Sequence, residues 1–304
     1  MKLGRVDPLL FPPQLAIEVK ALACQLPSEF GKPLSRFTSR EIAQLAIDRG
    51  IAASISGTTV WRWLHEDAIK PWQYRSWIFP RDPNFQYKAG NILDLYHRCW
   101  DGRSLGENEF VISADEKTSI QARRRIHPTT PPRPGKVMKV EFEYERLGAI
   151  AYMAAWDVHR AKIFGRCEKT TGIDSFQALV DQVMSQEPYQ SAKHVFWIMD
   201  NGSSHRGTPC IKRLTQRWPT IIPVHLPVHA SWLNQVEIYF SIIQRKVLNP
   251  NDFNSVSDLE KRLQDFQSYY EKIAKPFQWK FTRKNLDDML KKLQPWAEVV
   301  LKYA

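Results

Sequence analysis

Apolar side chains recur at helical spacing along the first part of the chain, in residues 14–26, 38–49 and 56–64. Thr38 and Glu41 form the capping-box pattern that starts the second of these segments, and a glycine ends it. Two short capped helices joined by a glycine-containing turn are typical of a helix-turn-helix, although a plain helical hairpin has the same pattern. The helix-turn-helix interpretation turns three polar side chains of the second helix outward, towards a DNA groove: Thr58, Thr59 and Arg62.

A segment rich in proline and tryptophan, residues 69–85, cannot form one regular helix and is expected to be a connector. A helix is predicted over Ala89–Trp100, and glycines punctuate the chain directly after it. The pattern therefore divides the chain into three regions. They are a helix-turn-helix region (1–70), a connector with a helix (71–106) and a third region in which apolar residues form runs of strand length (107–304).

After residue 107 the apolar positions form runs of strand length that alternate with amphipathic helices. The predicted strands are residues 109–115, 139–145, 149–158, 162–169, 194–200 and 220–226. The predicted helices are residues 174–186, 209–216, 231–248, 257–273 and 286–301. This order favours an α/β fold with a mixed sheet flanked by helices, preceded by an all-α helix-turn-helix or winged-helix domain.

The charge balance indicates an anionic partner. With 43 Lys and Arg against 32 Asp and Glu, the 304-residue chain carries a net charge of +11. An excess of basic residues favours a polyanion through counterion release, and DNA or RNA is the obvious candidate, although solubility alone explains many basic proteins.

Composition also excludes several classes of protein. The four cysteines, at positions 24, 99, 167 and 210, are too far apart for a zinc knuckle, and they suggest no disulfide framework. Neither a secretory signal nor a run of eighteen apolar residues occurs, so we expect no membrane association and a cytoplasmic location, with nucleoid association if the source is bacterial.

Three acidic residues are candidates for chemistry. Asp115 and Asp200 each end an apolar strand segment, and such segment ends meet at the rim of an α/β sheet. Glu237 lies beside the apolar stripe of the predicted helix 231–248, which Ser231 is expected to cap. The plainer interpretations are that the aspartates only begin turns and that Glu237 is a solvated helix residue.

Three convergent carboxylates repel one another unless cations neutralise them. Hard oxygen ligands without a Cys or His cluster select Mg²⁺ or Mn²⁺. Two such ions, about 3.5–4 Å apart, can activate a water or a 3′-hydroxyl for phosphodiester transfer. The sequence offers no nucleophile elbow, Walker loop or Rossmann fingerprint as an alternative.

Three segments, in this order, resemble the acidic motifs of DDE transposases in the bacterial insertion-sequence branch of the Tc/mariner superfamily. They are ISADEKTSIQARRR (112–125), FWIMDNGSSH (196–205) and LPVHASWLNQVEIYFSIIQRKVL (226–248). Asp200 and Glu237 lie 37 positions apart, close to the family's separation. The resemblance extends over roughly residues 35 to 285 and includes KPFQWKFT near the C-terminus.

The resemblance implies that Asp115, Asp200 and Glu237 hold two Mg²⁺ ions on a ribonuclease-H-like sheet. It implies nicking at element ends, followed by attack of the freed 3′-hydroxyl on target DNA, at a TA dinucleotide. The partners would be double-stranded DNA (terminal inverted repeats and target) and further copies of the chain, in a homodimer or larger synaptic assembly. Three residues within the matching motifs are interpreted as orienting the ligands or contacting phosphate: Asn201, His205 and Asn234.

Basic residues beside these motifs are candidate phosphate contacts, with a solvated charged surface as the alternative for each: Arg123, Arg124, Arg125, Arg245 and Lys246. Glu116 is expected to point to the opposite face of its strand from Asp115 and is left out of the site. Many relatives carry two helix-turn-helix units, whereas one complete unit is predicted here, so the first unit is expected to be partial or missing.

Two other functions compete with a transposase. A non-catalytic DNA-binding regulator descended from one would use the helix-turn-helix alone, but it would have no reason to keep all three acids. A different ribonuclease-H-fold nuclease would share the acids, but the attached helix-turn-helix and the SWLNQVE segment argue against it.

Overall fold

Two units, residues 1–78 and 79–304, make up the chain. The computed structural model describes residues 11–74, 80–202 and 207–300, with side chains up to residue 293. His205 therefore lies outside the described residues. Among the residues described, no helix is both long and apolar enough to cross a membrane.

The first unit is built from helices α1 (Pro13–Ala23), α2 (Ser39–Asp48) and α3 (Gly57–Glu66), with a short 3₁₀ turn at Pro27–Phe30. The predicted capping box of α2 is present, because the Thr38 amide donates to the Glu41 carboxylate at 2.7 Å. Apolar faces of the three helices pack together around a small core that includes Val19, Ile42, Leu45, Val60 and Leu64. Residues 11–74 contain the expected helix pair and no strand, so no wing accompanies it in this range.

The second unit contains a five-stranded mixed sheet in the order β5–β4–β3–β6–β7. Its strands are β3 (Glu109–Arg124), β4 (Glu145–Asp157), β5 (Ile163–Glu168), β6 (His194–Met199) and β7 (Ile221–His225). The strands β3, β6 and β7 run parallel to one another, whereas β4 and β5 are antiparallel to their neighbours. A helix, α4 (Phe85–Tyr96), and a two-stranded hairpin, β1 (Cys99–Trp100) and β2 (Arg103–Ser104), precede the sheet.

Helices cover both faces of this sheet. The helices α5 (Ile173–Met184) and α6 (Gly207–Arg217) pack on one face. The other face is covered by α4 and by α7 (Val236–Lys246), α8 (Val256–Glu271) and α9 (Arg283–Val300). This two-sided burial explains why β6 is apolar at every position except its first, since successive side chains enter alternate cores. The predicted α/β fold is confirmed.

The alternating segment 139–145 does not form the predicted strand, which is a correction to the sequence analysis. The β4 strand begins only at its last residue. The Arg125 guanidinium binds the carbonyl oxygens of residues 141–143, at 2.7, 2.9 and 3.3 Å. Phe142 is 94% exposed. A side chain thus satisfies backbone acceptors that a neighbouring strand would otherwise bind.

Two further element boundaries differ from the prediction. The expected helix 231–248 is a 3₁₀ turn at Ser231–Leu233 followed by α7, so Ser231 does not cap the helix that carries Glu237. Between them Asn234 has an extended backbone. The β3 strand continues nine residues past Asp115, which therefore lies within a strand and not at its end.

Candidate active site

Asp115 of β3 and Asp200, which directly follows β6, lie just beyond the last paired residues of two neighbouring parallel strands. The pairing of β3 with β6 ends where Ser113 lies opposite Ile198, and each aspartate lies two residues further along its chain. Because side chains alternate across a pleated sheet, both aspartates fall on the face of Ser113 and Ile198. This is the face against which α7 packs. The two aspartates therefore lie at the edge of the parallel part of the sheet, as the sequence predicted for acids that follow apolar strands.

Glu237 lies in the first turn of α7, half-buried, on the same side of the sheet. Burial, together with the negative charges of Asp200, Glu237 and Glu116, raises the pKa of Asp115 to about 7. Burial also raises the pKa of Glu237. The negative charge of Asp200 contributes to this increase, and the positive charge of Lys117 reduces it. The three carboxylates therefore lie close enough for each to sense the charge of another.

The carboxylates do not form a closed cage. In the ranges that the structure describes, no three His, Cys, Asp or Glu side chains are arranged as a ready-made metal cluster. Mutual repulsion favours separation of like charges in the absence of a cation. The arrangement has the donor chemistry for a hard divalent ion and an excess of negative charge.

Asn234 connects Asp115 to the start of α7. Its side-chain amide, 1% exposed, donates to Asp115 Oδ2 at 3.0 Å and to the Ala114 carbonyl at 3.1 Å. Its Oδ1 accepts a hydrogen bond from the Ser113 hydroxyl, which in turn accepts one from the Val236 amide at 2.9 Å. The break between the 3₁₀ turn and α7 thus lets one buried amide hold an acid of the sheet and the helix that carries Glu237.

Tyr96 of α4 also binds the backbone at the break between the 3₁₀ turn and α7. Its buried hydroxyl donates to the Leu233 carbonyl at 2.5 Å and accepts from the Gln235 amide at 3.3 Å. Sequence reasoning missed both Tyr96 and Ser113. For Ser113 a signal was available, because it is the one polar side chain within the apolar run that leads to Asp115.

Asp200 begins a tight turn. Its Oδ1 accepts from the Gly202 amide at 2.8 Å, and a Cβ atom at Gly202 would lie only 2.9 Å from that oxygen. The Asn201 amide donates to the Leu226 carbonyl at 2.6 Å, which ties this turn to the loop 226–231. These two segments line a concavity beside Asp200. Asp200 can therefore both begin a turn, as the plainer interpretation expected, and belong to the candidate site.

The three consecutive arginines all have partners within the chain. Arg123 contacts the Gln121 side chain at 3.2 Å and lies 4.4 Å from the centre of the Tyr144 ring. Arg124 forms an ion pair with Glu145 at 2.5 Å, and Arg125 binds the carbonyls described above. Arg125 thus has a structural role, in addition to any contact with DNA.

The remaining candidate DNA contacts differ in exposure. Arg245 and Lys246 are exposed in the last turn of α7, and Thr58 and Arg62 are exposed on α3. Thr59 is half-buried and takes part in the cap of α3, since its amide donates to the Ser56 hydroxyl at 3.1 Å.

Comparison with solved structures shows the fold of the chain. One similar structure, "Crystal structure of the Mos1 mariner paired end complex with Mn", has a TM-score of 0.54 at 15% identity, covering 88% of this chain and 75% of that chain. Another, "Mos1 transposase paired-end complex with left transposon end", has a TM-score of 0.51 at 14% identity, covering 88% and 74%. The ribonuclease-H-like arrangement of the mixed sheet is thereby confirmed.

Sequence comparison places the acids within a known family model. No curated protein sequence matches the chain. Residues 111–260, which include Asp115, Asp200 and Glu237, match the model of the DDE superfamily endonuclease. The resemblance predicted from the acidic motifs is confirmed at this level for residues 111–260.

Proposed function

We propose that this protein is a DNA transposase that cuts the ends of its element and joins the freed 3′-hydroxyl to target DNA. Asp115, Asp200 and Glu237 are the catalytic residues in this proposal, and they bind two Mg²⁺ or Mn²⁺ ions. The observation that carries it is the placement of Glu237, in the first turn of α7, on the side of the sheet where Asp115 and Asp200 lie, all within the residues that match the DDE model.

The donor set supports divalent ions. All three side chains are hard oxygen donors, which suit Mg²⁺ and Mn²⁺. Burial and like charges raise the pKa of Asp115 to about 7, so a nearby cation would favour its ionised form. When bound, the ions would stabilise the charge that develops on the phosphodiester and lower the pKa of the attacking water or hydroxyl. One of the similar Mos1 structures is a paired-end complex with Mn.

The residues around the acids position them. Asn234 holds Asp115 Oδ2 and the start of α7, so it sets the distance between the β3 acid and Glu237. Gly202 and Asn201 orient the turn that carries Asp200. Such partners of metal-binding groups keep them in a productive orientation. His205, outside the described residues, remains a candidate for the same role from its place in the matching motif.

Double-stranded DNA is the proposed substrate, as terminal inverted repeats and as target with a TA dinucleotide. The Mos1 neighbours are titled paired-end complexes, and we propose that this chain likewise works as a homodimer or larger synaptic assembly. Exposed Thr58 and Arg62 on α3 would read the major groove, and Arg245 and Lys246 would contact phosphates near the site. The bacterial insertion-sequence branch is the proposed affiliation within the family.

The test is end cleavage by the purified protein with Mg²⁺, on DNA that carries the inverted repeats flanking the gene. Asp200→Asn should abolish cleavage yet leave DNA affinity nearly unchanged, because it removes metal affinity and no basic surface. Asp265→Asn, at an exposed position of α8, is the matched control and should cut normally.

Three results would contradict the proposal in different ways. Full cleavage by Asp200→Asn would eliminate the nuclease assignment. Tight, specific DNA binding by the wild type without any cleavage would indicate a regulator. Cleavage of DNA regardless of the repeats would indicate another ribonuclease-H-fold nuclease.

A further inference from the structure

A polar groove runs along α7, away from the acids. It begins at Glu237, passes Lys117 and Gln244, and ends at Arg123 and Asn251. Lys117 and Gln244 line both halves of it, so the two halves form one continuous surface. We call this feature the α7 groove.

A distortion of β3 shapes the floor of the groove. The pairing of β3 with β4 shifts register between Lys117 and Ile120, and Ser119 between them has a left-handed backbone with φ of 54°. Such bulges bend a strand and redirect its side chains, and they occur often beside active sites. Non-glycine residues with positive φ cost energy that the surrounding structure must supply. The β3 strand is therefore irregular directly after the segment that carries Asp115.

The lining of the groove suits a chain of phosphates. Lys117, Arg123 and Arg245 are cations. Among the described residues that line the groove, Glu237 at its end is the single acid. The Arg123 contacts described above are with a neutral amide and an aromatic ring, which leave its positive charge unneutralised. Amides such as Gln244 donate hydrogen bonds that phosphate oxygens accept.

Lys117 lies where the groove meets the acids. Lys117 and Glu237 line the same half of the groove, so the two side chains lie near each other. On β3, Lys117 is two residues beyond Asp115 and so shares its face of the sheet. A phosphate next to the reacting phosphate would therefore meet Lys117.

We propose that the α7 groove binds the phosphodiester backbone of the DNA strand that is being cut, with Lys117 on the phosphate adjacent to the reacting one. This inference rests on the proposed function, since it assigns a path to the substrate of that same site. Backbone contacts of this kind fix the register of the strand without reading its sequence.

The test measures how the affinity for a repeat-bearing duplex depends on salt, in EDTA so that no cleavage occurs. Lys117→Gln should weaken binding about three- to tenfold and reduce the slope of log affinity against log salt by about one, because one phosphate contact is lost. Lys117→Arg keeps the charge and should retain both values. Lys212→Gln removes an exposed lysine of α6, on the other face of the sheet, and should change neither.

Gln244 provides a test that a folding defect cannot mimic. Gln244→Lys adds a cation to the groove and keeps a donor towards Asn249, so it should strengthen binding and increase the salt slope by about one. Gln244→Glu should weaken binding. Thermal unfolding would show whether each variant is folded.

The possible outcomes distinguish a failure of the groove assignment from a failure of the transposase proposal. If the wild type binds and cuts DNA but the Lys117 and Gln244 variants match it in affinity and salt slope, the groove assignment is overturned and the transposase proposal stands. If the wild type neither binds nor cuts repeat-bearing DNA, both are overturned. Stronger binding by Gln244→Lys, together with weaker binding by Lys117→Gln, would support the groove.

Discussion

Two buried carboxylates on the same strand, Glu109 and Asp115, have opposite surroundings. Glu109 is 2% exposed, and it accepts two hydrogen bonds from Arg103, each at 2.7 Å, one from the Gly106 amide at 2.8 Å and a contact with His194 at 2.6 Å. These partners, Arg103 first, hold the pKa of Glu109 well below its usual range. Glu109 is therefore a satisfied structural anion that ties the β1–β2 hairpin to the sheet.

Asp115 is almost as buried, at 8% exposed, but its partners are neutral: the Asn234 side-chain amide and the Glu116 backbone amide. Its charged neighbours include Asp200 and Glu237, and its pKa is raised to about 7. A buried acid surrounded by cations stabilises a fold, whereas one surrounded by other acids requires a cation from outside. This difference supports the proposal that Asp115 is the functional acid of β3.

The largest effect is expected on DNA cleavage. Asp115→Asn should lower the cleavage rate at least about a thousandfold, which corresponds to about 4 kcal/mol of activation free energy. Glu109→Gln should cut at a rate near that of the wild type, measured at a temperature where both proteins are folded. Equal loss of cleavage in both variants would erase the distinction between a functional and a structural acid.

Stability should respond to Asp115 in the opposite direction. Because the folded pKa of about 7 exceeds the ordinary value of 3.8, the metal-free native state loses stability as pH rises from about 4 to 7. Asp115→Asn removes this loss and should stabilise the metal-free protein by up to about 4 kcal/mol at pH 7.5, and by less at pH 5. Urea unfolding in EDTA at both pH values measures it, and a destabilised variant would contradict the assigned surroundings.

The contribution of Glu109 to stability should depend on pH in the opposite direction. Its folded pKa lies below the ordinary 4.5, so its contribution to stability is present above that value and is lost as pH falls. Glu109→Gln removes the negative charge that is paired with the half-exposed Arg103 and should lower the free energy of unfolding at pH 7. The difference in the free energy of unfolding between this variant and the wild type should become smaller below about pH 4.5 in the same urea experiment. A gap that does not change with pH would mean that charge is not the cause.

The smallest effect in this series is expected from Asn234. Asn234→Asp should place a further acid beside Asp115 and lower the cleavage rate about 10- to 100-fold, since partners of metal ligands typically contribute that much. Its metal dependence should shift to higher Mg²⁺ concentration, which a purely structural change would not produce. Gln216→Glu, at an exposed position of α6 on the other face of the sheet, is a suitable control.

The features that the sequence predicted correctly carry local signals. The capping box at Thr38 is complete within four residues. Asp115 and Asp200 were singled out because they follow apolar runs, and their catalytic role stays a prediction. The continuous apolar run of β6 likewise reflects contacts that any strand between two helical layers must make. Such features need no knowledge of which distant segment lies nearby.

What the sequence did not reveal depends on partners far along the chain. The helix before Glu237 breaks because Asn234 binds β3, about 120 residues earlier. The segment 139–145 alternates like a strand, but Arg125 binds three of its carbonyls. Lys117 looked like an ordinary charged residue until the structure showed it beside Glu237. Periodicity cannot distinguish these cases, since each is decided by tertiary contacts.

The most direct test of the central claim is calorimetric titration of Mn²⁺ into the protein bound to repeat-bearing DNA. Two ions per active site are predicted for the wild type and for Glu109→Gln. Asp115→Asn, Asp200→Asn and Glu237→Gln should each lose or greatly weaken that binding. Unchanged Mn²⁺ binding in all three variants, or the absence of stoichiometric binding in the wild type, would contradict the account.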